Sequence, residues 1–461
     1  MKPLLKKTSL DCNILKNYRP ISNLPFLSKV LERIVASRLK AHISSNSLDE
    51  PLQSAYKPGH STETALLKVT NDILCALDTK QDVFLVLLDL SAAFDTVNHT
   101  ILLERLHHRL GVTGNALMWF NSYLFDRKQA VMINSARSPY YPLATGVPQG
   151  SVLGPILFNV YTSPLGDVVA SHGCQYHFYA DDSNLYMSFP RANYDVTLKS
   201  LESCVSDVRA WMSSNFLRLN DDKTEFVIFS RNYDPNFSDM HNLRIGDVLI
   251  SPQCQAKSLG TILDSSLTMK SNISHICRSA MFHIRRIALI RKYLSRSATE
   301  QLVHSFISSR IDSCNSLLYG LPLYSINRIQ HVQNVAARVV TRSRRHVHVS
   351  PLLQELHWLP VRQRIIYKIL IITFKCLYGA GPKYLKELVS FYVPRRSLRS
   401  ANDFKLKTGI ARTKRHGDRA FCVAAPLLWN ELPFNIRSCN NFNAFKRFLK
   451  THLFELAFLN V

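Results

Sequence analysis

The segment QYHFYADDSNLYMSF, residues 175–189, reads as strand, tight turn, strand, with Asp181 and Asp182 at the turn. Upstream, VFLVLLDL (83–90) is a short, continuous apolar run rich in β-formers. Such a run marks a central strand buried on both faces, and it carries Asp89 at its end. Charged groups at the ends of buried strands are costly unless they are paired or bound to a metal. Carboxylates converging from two such segments suit Mg²⁺, a hard cation that takes a few carboxylate oxygens and keeps places for substrate phosphate. Two such ions can activate an attacking 3′-hydroxyl and stabilise a departing pyrophosphate. Taken singly, each feature also has an ordinary reading: Asp-Asp as a turn dipeptide, Asp89 as a cap.

Outward from this pair, residues 28–45 carry apolar residues at helical spacing, with Ser28 as the expected N-cap. Ser61 or Thr62 opens a second helix. Asn98 caps a third that Gly111 ends, and another covers about 115–125. A strand is expected at 129–133. TGVPQGSVLGPILFNVY (145–161) reads as a Gly/Pro-bearing loop feeding an apolar helix, and a further helix presents Leu201, Val205, Val208 and Met212 on one face. TEFVIF (224–229) reads as a strand, LRIGDVLI (243–250) as a hairpin around Gly246-Asp247, and KSLGTILD (257–264) as one more strand.

The 461 residues suit about three structural units. A hydrophobic fraction of 46% with only 15 glycines excludes wholesale disorder and fibrous architectures. The net charge of +24 is unevenly placed: residues 1–264 hold 25 basic and 25 acidic side chains, residues 265–461 hold 32 and 8. A neutral N-terminal module is thus followed by a cationic one, as expected of a chain that meets a polyanion. Arg-bearing clusters at 342–345, 395–399 and 412–415 read as phosphate contacts. The ten cysteines form no CxxC pair, and His107-His108, His346, His348 and His416 lack zinc spacing. MKPLLKKTSLDCN (1–13) has no signal-peptide apolar stretch, and the apolar run 365–378 is interrupted by Lys368 and Lys375, short of the ~20 residues a span needs. No membrane partner is expected, and the reading is an intracellular protein, nuclear or cytoplasmic.

The ordered segments carry a resemblance. NYRPISNLPFLSKVLERIV (17–35), QSAYKPGHSTETAL (53–66), LLDLSAAFDTVNH (87–99), GVPQGSVLGPILFNVY (146–161), FYADD (178–182), LRLNDDKTEF (217–226) and KSLGTILD (257–264) resemble, in family order, the motifs of non-LTR (LINE-type) retrotransposon reverse transcriptases. HWLPVRQRIIYKIL (357–370) and APLLWNELP (425–433) resemble the tail of that group. The resemblance implies that Asp89, Asp181 and Asp182 form the metal-binding triad, with Asp181 the stronger ligand and the Leu90 carbonyl also facing the metal. It implies that Phe94 is a steric gate against a 2′-hydroxyl, by occupying its place, and that Gln149 and Gly150 line the nucleotide site. Arg19, with Lys7 or Lys6, resembles the triphosphate clamp. Lys223 resembles the general acid for pyrophosphate. Asp95 is characteristic of the group, without an assigned role.

The implied fold is α+β in the right-hand polymerase arrangement. Fingers and palm occupy 1–264, a helical thumb 265–345, and a basic, mostly helical extension 346–461. The implied activity is RNA-directed DNA polymerisation with two Mg²⁺ ions (or Mn²⁺), on an RNA template, a DNA primer or target, and dNTPs. With the fingers motif so close to Met1, the chain is expected to be a 5′-truncated copy without the endonuclease. The alternatives are an RNA-dependent RNA polymerase, which would need a polar group in place of Phe94, and an inactive relic that binds nucleic acid through its basic C-terminus.

Overall fold

The computed structural model describes residues 1–91, 93–231, 242–394 and 403–458. The Arg cluster at 395–399 therefore lies outside the described residues.

The chain begins with strands β1 (Lys2–Leu5) and β2 (Tyr18–Ile21), paired antiparallel. Helix α1 (Phe26–Ser45) is capped three residues ahead of expectation, at Pro25 rather than Ser28. Pro25 holds an extended ψ of 152° at the N-cap, so the helix turns in directly after it. Ser28 lies inside the first turn, its hydroxyl 3.4 Å from the Glu32 carboxylate. Helix α2 (Thr62–Asp78) has a full capping box: the Ser61 hydroxyl accepts from Thr64 N–H, and the Thr64 hydroxyl oxygen accepts from Ser61 N–H.

Strand β3 (Asp82–Leu88) is buried at every residue, and β4 (Leu90–Ser91) follows it. Its continuous apolar run has a direct cause. Val83, Leu85 and Leu87 enter one core with α2, while Phe84, Val86 and Leu88 enter a second core on the opposite face. Helix α3 (His99–His108) is capped by Asn98, whose side-chain oxygen accepts from Ile101 N–H. Helix α4 (Gly114–Leu124) comes next. The strand expected at 129–133 is instead part of four two-residue strands, β5–β8 (Lys128–Gln129, Met132–Ile133, Ala136–Arg137, Tyr141–Pro142). Helices α5 (Gly154–Thr162) and α6 (Leu165–Ser171) lead to β9 (Gln175–Tyr179) and β10 (Asp182–Phe189). Helix α7 (Tyr194–Ser214), β11 (Arg218–Leu219) and β12 (Glu225–Phe229) complete the layer.

The main sheet has order β12-β3-β10-β9, antiparallel throughout. Segment 52–54 runs parallel beside edge strand β9, through Ser54 N–H to Phe178 O and Phe178 N–H to Leu52 O. Two hairpins follow: β13 (Leu243–Ile245) with β14 (Val248–Ile250), and β15 (Gln255–Ser258) with β16 (Thr261–Asp264). The second corrects the expected single strand at 257–264. Leu259 and Gly260 both take positive φ, 47° and 87°, as a tight two-residue turn demands.

Beyond Asp264 the chain is helical. Helix α8 (Lys270–Ile290) packs on Leu323–Thr341, and Val361–Leu377 packs on Phe421–Asn430 and Phe442–Phe458. These helices share one core with α2 and the sheet; Trp429, Phe421, Phe445 and Leu449 are its buried C-terminal members. A latch closes it. Asp78 at the end of α2 accepts from Arg412 N–H at 2.8 Å and from the Thr413 hydroxyl at 2.7 Å. Gly417 lies so near that a Cβ there would stand 2.7 Å from the Asp78 carboxylate. The architecture is α+β, as expected. Among the described residues no helix is long and apolar enough to cross a membrane.

Candidate active site

The sheet register brings the acidic residues together. Ser183 pairs with Leu88, the last pair of the register, so Asp182 and Asp89 follow directly at the same end of the two strands, near enough for Asp89 to act on Asp182. Tyr179 pairs with Asp182, which leaves Ala180 and Asp181 as a two-residue turn. Ala180 sits at φ 58°, the left-handed region that primed hairpin turns require and alanine adopts at a cost.

A side chain absent from the expected site holds this turn. The Gln53 amide oxygen accepts from Ala180 N–H and from Ala55 N–H, both at 2.9 Å. Its amide nitrogen donates to Ala180 O at 3.4 Å. Gln53 is 2% exposed, delivered by the segment alongside β9. Both faces of the strained Ala180 residue are thereby tied to a buried group.

The electrostatics follow from the crowding. Burial, the Asp181 carboxylate and the Asp89 carboxylate together push Asp182 up to about 6, although its side chain is exposed at the rim. Burial and then Asp89 raise Asp181, against the pull of its own backbone N–H, Arg19 and Lys223. The Lys223 ammonium meets the Asp89 carboxylate at 2.6 Å. Asn220 reinforces that point: its N–H donates to Asp89 O at 2.9 Å, and its side-chain amide lies 3.5 Å from the Asp89 carboxylate. Among the described residues no three His, Cys, Asp or Glu side chains are drawn tightly round one point. The carboxylates form an open cluster with Asp89 turned to Lys223. Their donor chemistry, hard carboxylate oxygens gathered at one sheet end, fits a divalent cation.

Arg19 is exposed on β2 and close enough to lower Asp181. Lys6 turns away, donating to Lys16 O at 2.7 Å, and Lys7 is exposed. Leu90 is buried in β4, which pairs with β11. Phe94 is half-buried and stacks on Phe158, ring centroids 4.6 Å apart. The Gln149 amide donates to both Asp95 carboxylate oxygens at 3.0 Å, which gives Asp95 a partner. The loop carrying Gln149 and Gly150 is stitched to its neighbours by Val147 N–H to Phe94 O, Gly146 N–H to Val97 O and Ser22 N–H to Gln149 O. Gly146 is required there: at φ 89°, a Cβ would meet Asp95 O at 2.8 Å. Buried Glu32 accepts from Val152 N–H and Leu153 N–H, fixing the far end of the loop.

Gln53, Asn220 and Glu32 were not foreseen. Gln53 and Asn220 lie within recognised motifs, but an uncharged amide gives no sign of which backbone it will meet. Glu32 had one available signal, a carboxylate on the apolar side of a helix.

Comparison with known proteins adds to this geometry. Residues 5–263 match the family model described as Reverse transcriptase (RNA-dependent DNA polymerase). The chain is 30% identical over 362 residues to the "Probable RNA-directed DNA polymerase from transposon BS" of Drosophila melanogaster, covering 76% of this chain and 39% of that protein. It is 30% identical over 342 residues to the corresponding X-element protein of the same organism, covering 70% and 36%. Against the RNA-directed DNA polymerase from mobile element jockey the values are 26% over 340 residues, 72% and 36%. The chain thus spans well under half the length of these relatives. Among solved structures, a telomerase from Candida tropicalis aligns over 72% of this chain and 56% of its own, with 14% identity and a TM-score of 0.38.

Proposed function

The chain belongs to the reverse transcriptase family, within its non-LTR retrotransposon relatives, and from that premise we propose that it extends a primer 3′-end with deoxynucleotides on an RNA template. The observation that carries the reading is the register that brings Asp182 and Asp89 to the same end of their strands, with Asp181 in the adjoining turn. Three carboxylates at one sheet end, beside the cations Arg19 and Lys223, suit phosphoryl transfer, where positioning and charge stabilisation do most of the work.

Asp89, Asp181 and Asp182 would hold two Mg²⁺ ions, which when bound supply Lewis-acid stabilisation of the attacking and leaving oxygens. Arg19 binds triphosphate oxygens. Lys223, already within the carboxylate cluster, holds a proton at Nζ that can pass to the leaving pyrophosphate. The Asp95–Gln149 pair and Gly146 fix the loop that lies against the incoming nucleotide. Phe94, braced by Phe158, fills the space a 2′-hydroxyl would take.

Purified full chain with poly(rA)/oligo(dT), Mg²⁺ and dTTP tests the reading. Product is expected, and Asp89→Asn or Asp182→Asn should abolish it. Duplex binding without product would identify an inactive, nucleic-acid-binding relic instead.

A further inference from the structure

At the opposite end of β3 from Asp89 lies a second, cationic cleft of about 620 Å³. Seven residues of strand separate the two ends, roughly 23 Å at about 3.3 Å per residue. Lys80, Arg191, Arg231, Lys414, Arg415 and His416 line it, supplied by four separate chain segments that the fold brings together. Five Lys and Arg side chains outnumber the two acidic groups nearby, Asp78 and Asp82. Asp78 accepts from Arg412 N–H and Thr413, and its charge also acts on Arg231. Asp82 is buried and carries a raised pKa, because burial outweighs its contacts with Ser230 and Arg191. The second observation is independent of charge. His416 is 3% exposed, lines the cleft, and leaves its Nδ1 without a hydrogen-bond partner. A buried, unpaired ring nitrogen costs free energy that a ligand oxygen would recover.

We propose that this cleft holds the sugar–phosphate backbone of a single RNA strand, away from the carboxylate cluster. Clustered cations with an orphaned buried nitrogen call for phosphate oxygens. Among the described residues the lining is cationic and polar, side chains that suit contact with backbone phosphates. The spread of cations over several elements fits successive phosphates along a strand. The inference deepens the polymerase reading, since it assigns where RNA outside the primed duplex runs.

The test is binding of a 5′-labelled, unstructured 40-nucleotide RNA to the full chain, across a salt series, in Lys80→Glu/Lys414→Glu and in the milder Lys80→Gln/Lys414→Gln. Both lysines are exposed, so the fold should survive, and thermal unfolding checks this. With two phosphate contacts removed, the log–log salt slope should shrink by about 1.4 and affinity at 0.1 M salt should fall about tenfold. Blunt duplex binding should fall by much less. Unchanged RNA affinity and slope in both folded variants would overturn the proposal, as would equal losses for RNA and blunt duplex. Displacement of RNA from the unmodified chain by millimolar inorganic phosphate at constant ionic strength would mark a free-anion site and also overturn it. Binding is read without catalysis, so a chain that fails to extend primers yet loses RNA in these variants would sink the polymerase reading and leave the cleft standing.

Discussion

Replacing Gln53 with methionine keeps the side-chain length and removes every polar atom that holds the Ala180 turn. Ala180 N–H and Ala55 N–H each lose an acceptor at 2.9 Å inside a buried site. At about 1–2 kcal/mol per orphaned donor, the expected loss of stability is about 2–4 kcal/mol. The effect on chemistry should be larger than that figure suggests. Ala180 is held at φ 58° and precedes Asp181 directly, so a freed turn relaxes and carries the carboxylate with it. A shift of about 1 Å at reacting groups costs on the order of 100-fold in rate. The assay is single-turnover extension of a saturating primer–template, with primer–template affinity measured in parallel below the unfolding transition. Rate should fall about 100-fold while affinity stays within about threefold, because a side chain 2% exposed does not touch nucleic acid. Gln53→Glu should recover part of the rate, since a carboxylate still accepts both N–H groups. A folded Gln53→Met protein that extends primers at more than a third of the unmodified rate would refute the clamp.

Asp182 titrates at about 6 rather than at its ordinary 3.8, so the folded protein binds that proton more tightly than the unfolded chain does. The stability this contributes is present at low pH and is lost as pH rises from about 4 through 6. Asp182→Asn, expected to abolish extension, should therefore stabilise the fold at pH 7.5 in EDTA by about 1 kcal/mol after discounting for exposure, read as a higher thermal midpoint, and should show no gain at pH 4. An equal gain at both pH values would contradict the repulsion argument. Phe94→Ala should raise ribonucleotide incorporation relative to deoxynucleotide, and an unchanged ratio in competition assays would remove the gate. Gly417→Ala should destabilise by about 1–3 kcal/mol in chemical denaturation, because its Cβ would press on the Asp78 carboxylate; a neutral result would mean that the latch yields.

The two acidic segments were legible because local pattern and burial agree there. VFLVLLDL is apolar at every position since both sheet faces are covered, and YADD has the length of a two-residue turn. Ser61 and Asn98 were readable as caps for the same local reason. The Leu259-Gly260 hairpin was not, because leucine rarely accepts positive φ and only the single glycine hinted at a turn. Asp95 acquired a partner only when Gln149, far along the chain, was folded against it. The roles of Gln53 and of the cations at 414–415 likewise depend on which distant groups they meet, a matter of tertiary placement that composition does not encode.

The Asp78 latch sets a constraint on biosynthesis. Its partners, Arg412 and Thr413, leave the ribosome more than three hundred residues after α2. At about 5–20 residues per second, α2 and the sheet wait tens of seconds with one apolar flank unsheltered and an acidic group bare. A message stopped early, before codon 412, would yield a product whose acidic cluster is complete in sequence yet whose scaffold never seals. Such products should be cleared by proteolysis or aggregate, so the contacts of residues 412 and 413 with Asp78 tie the soundness of the sheet to sequence made long after it.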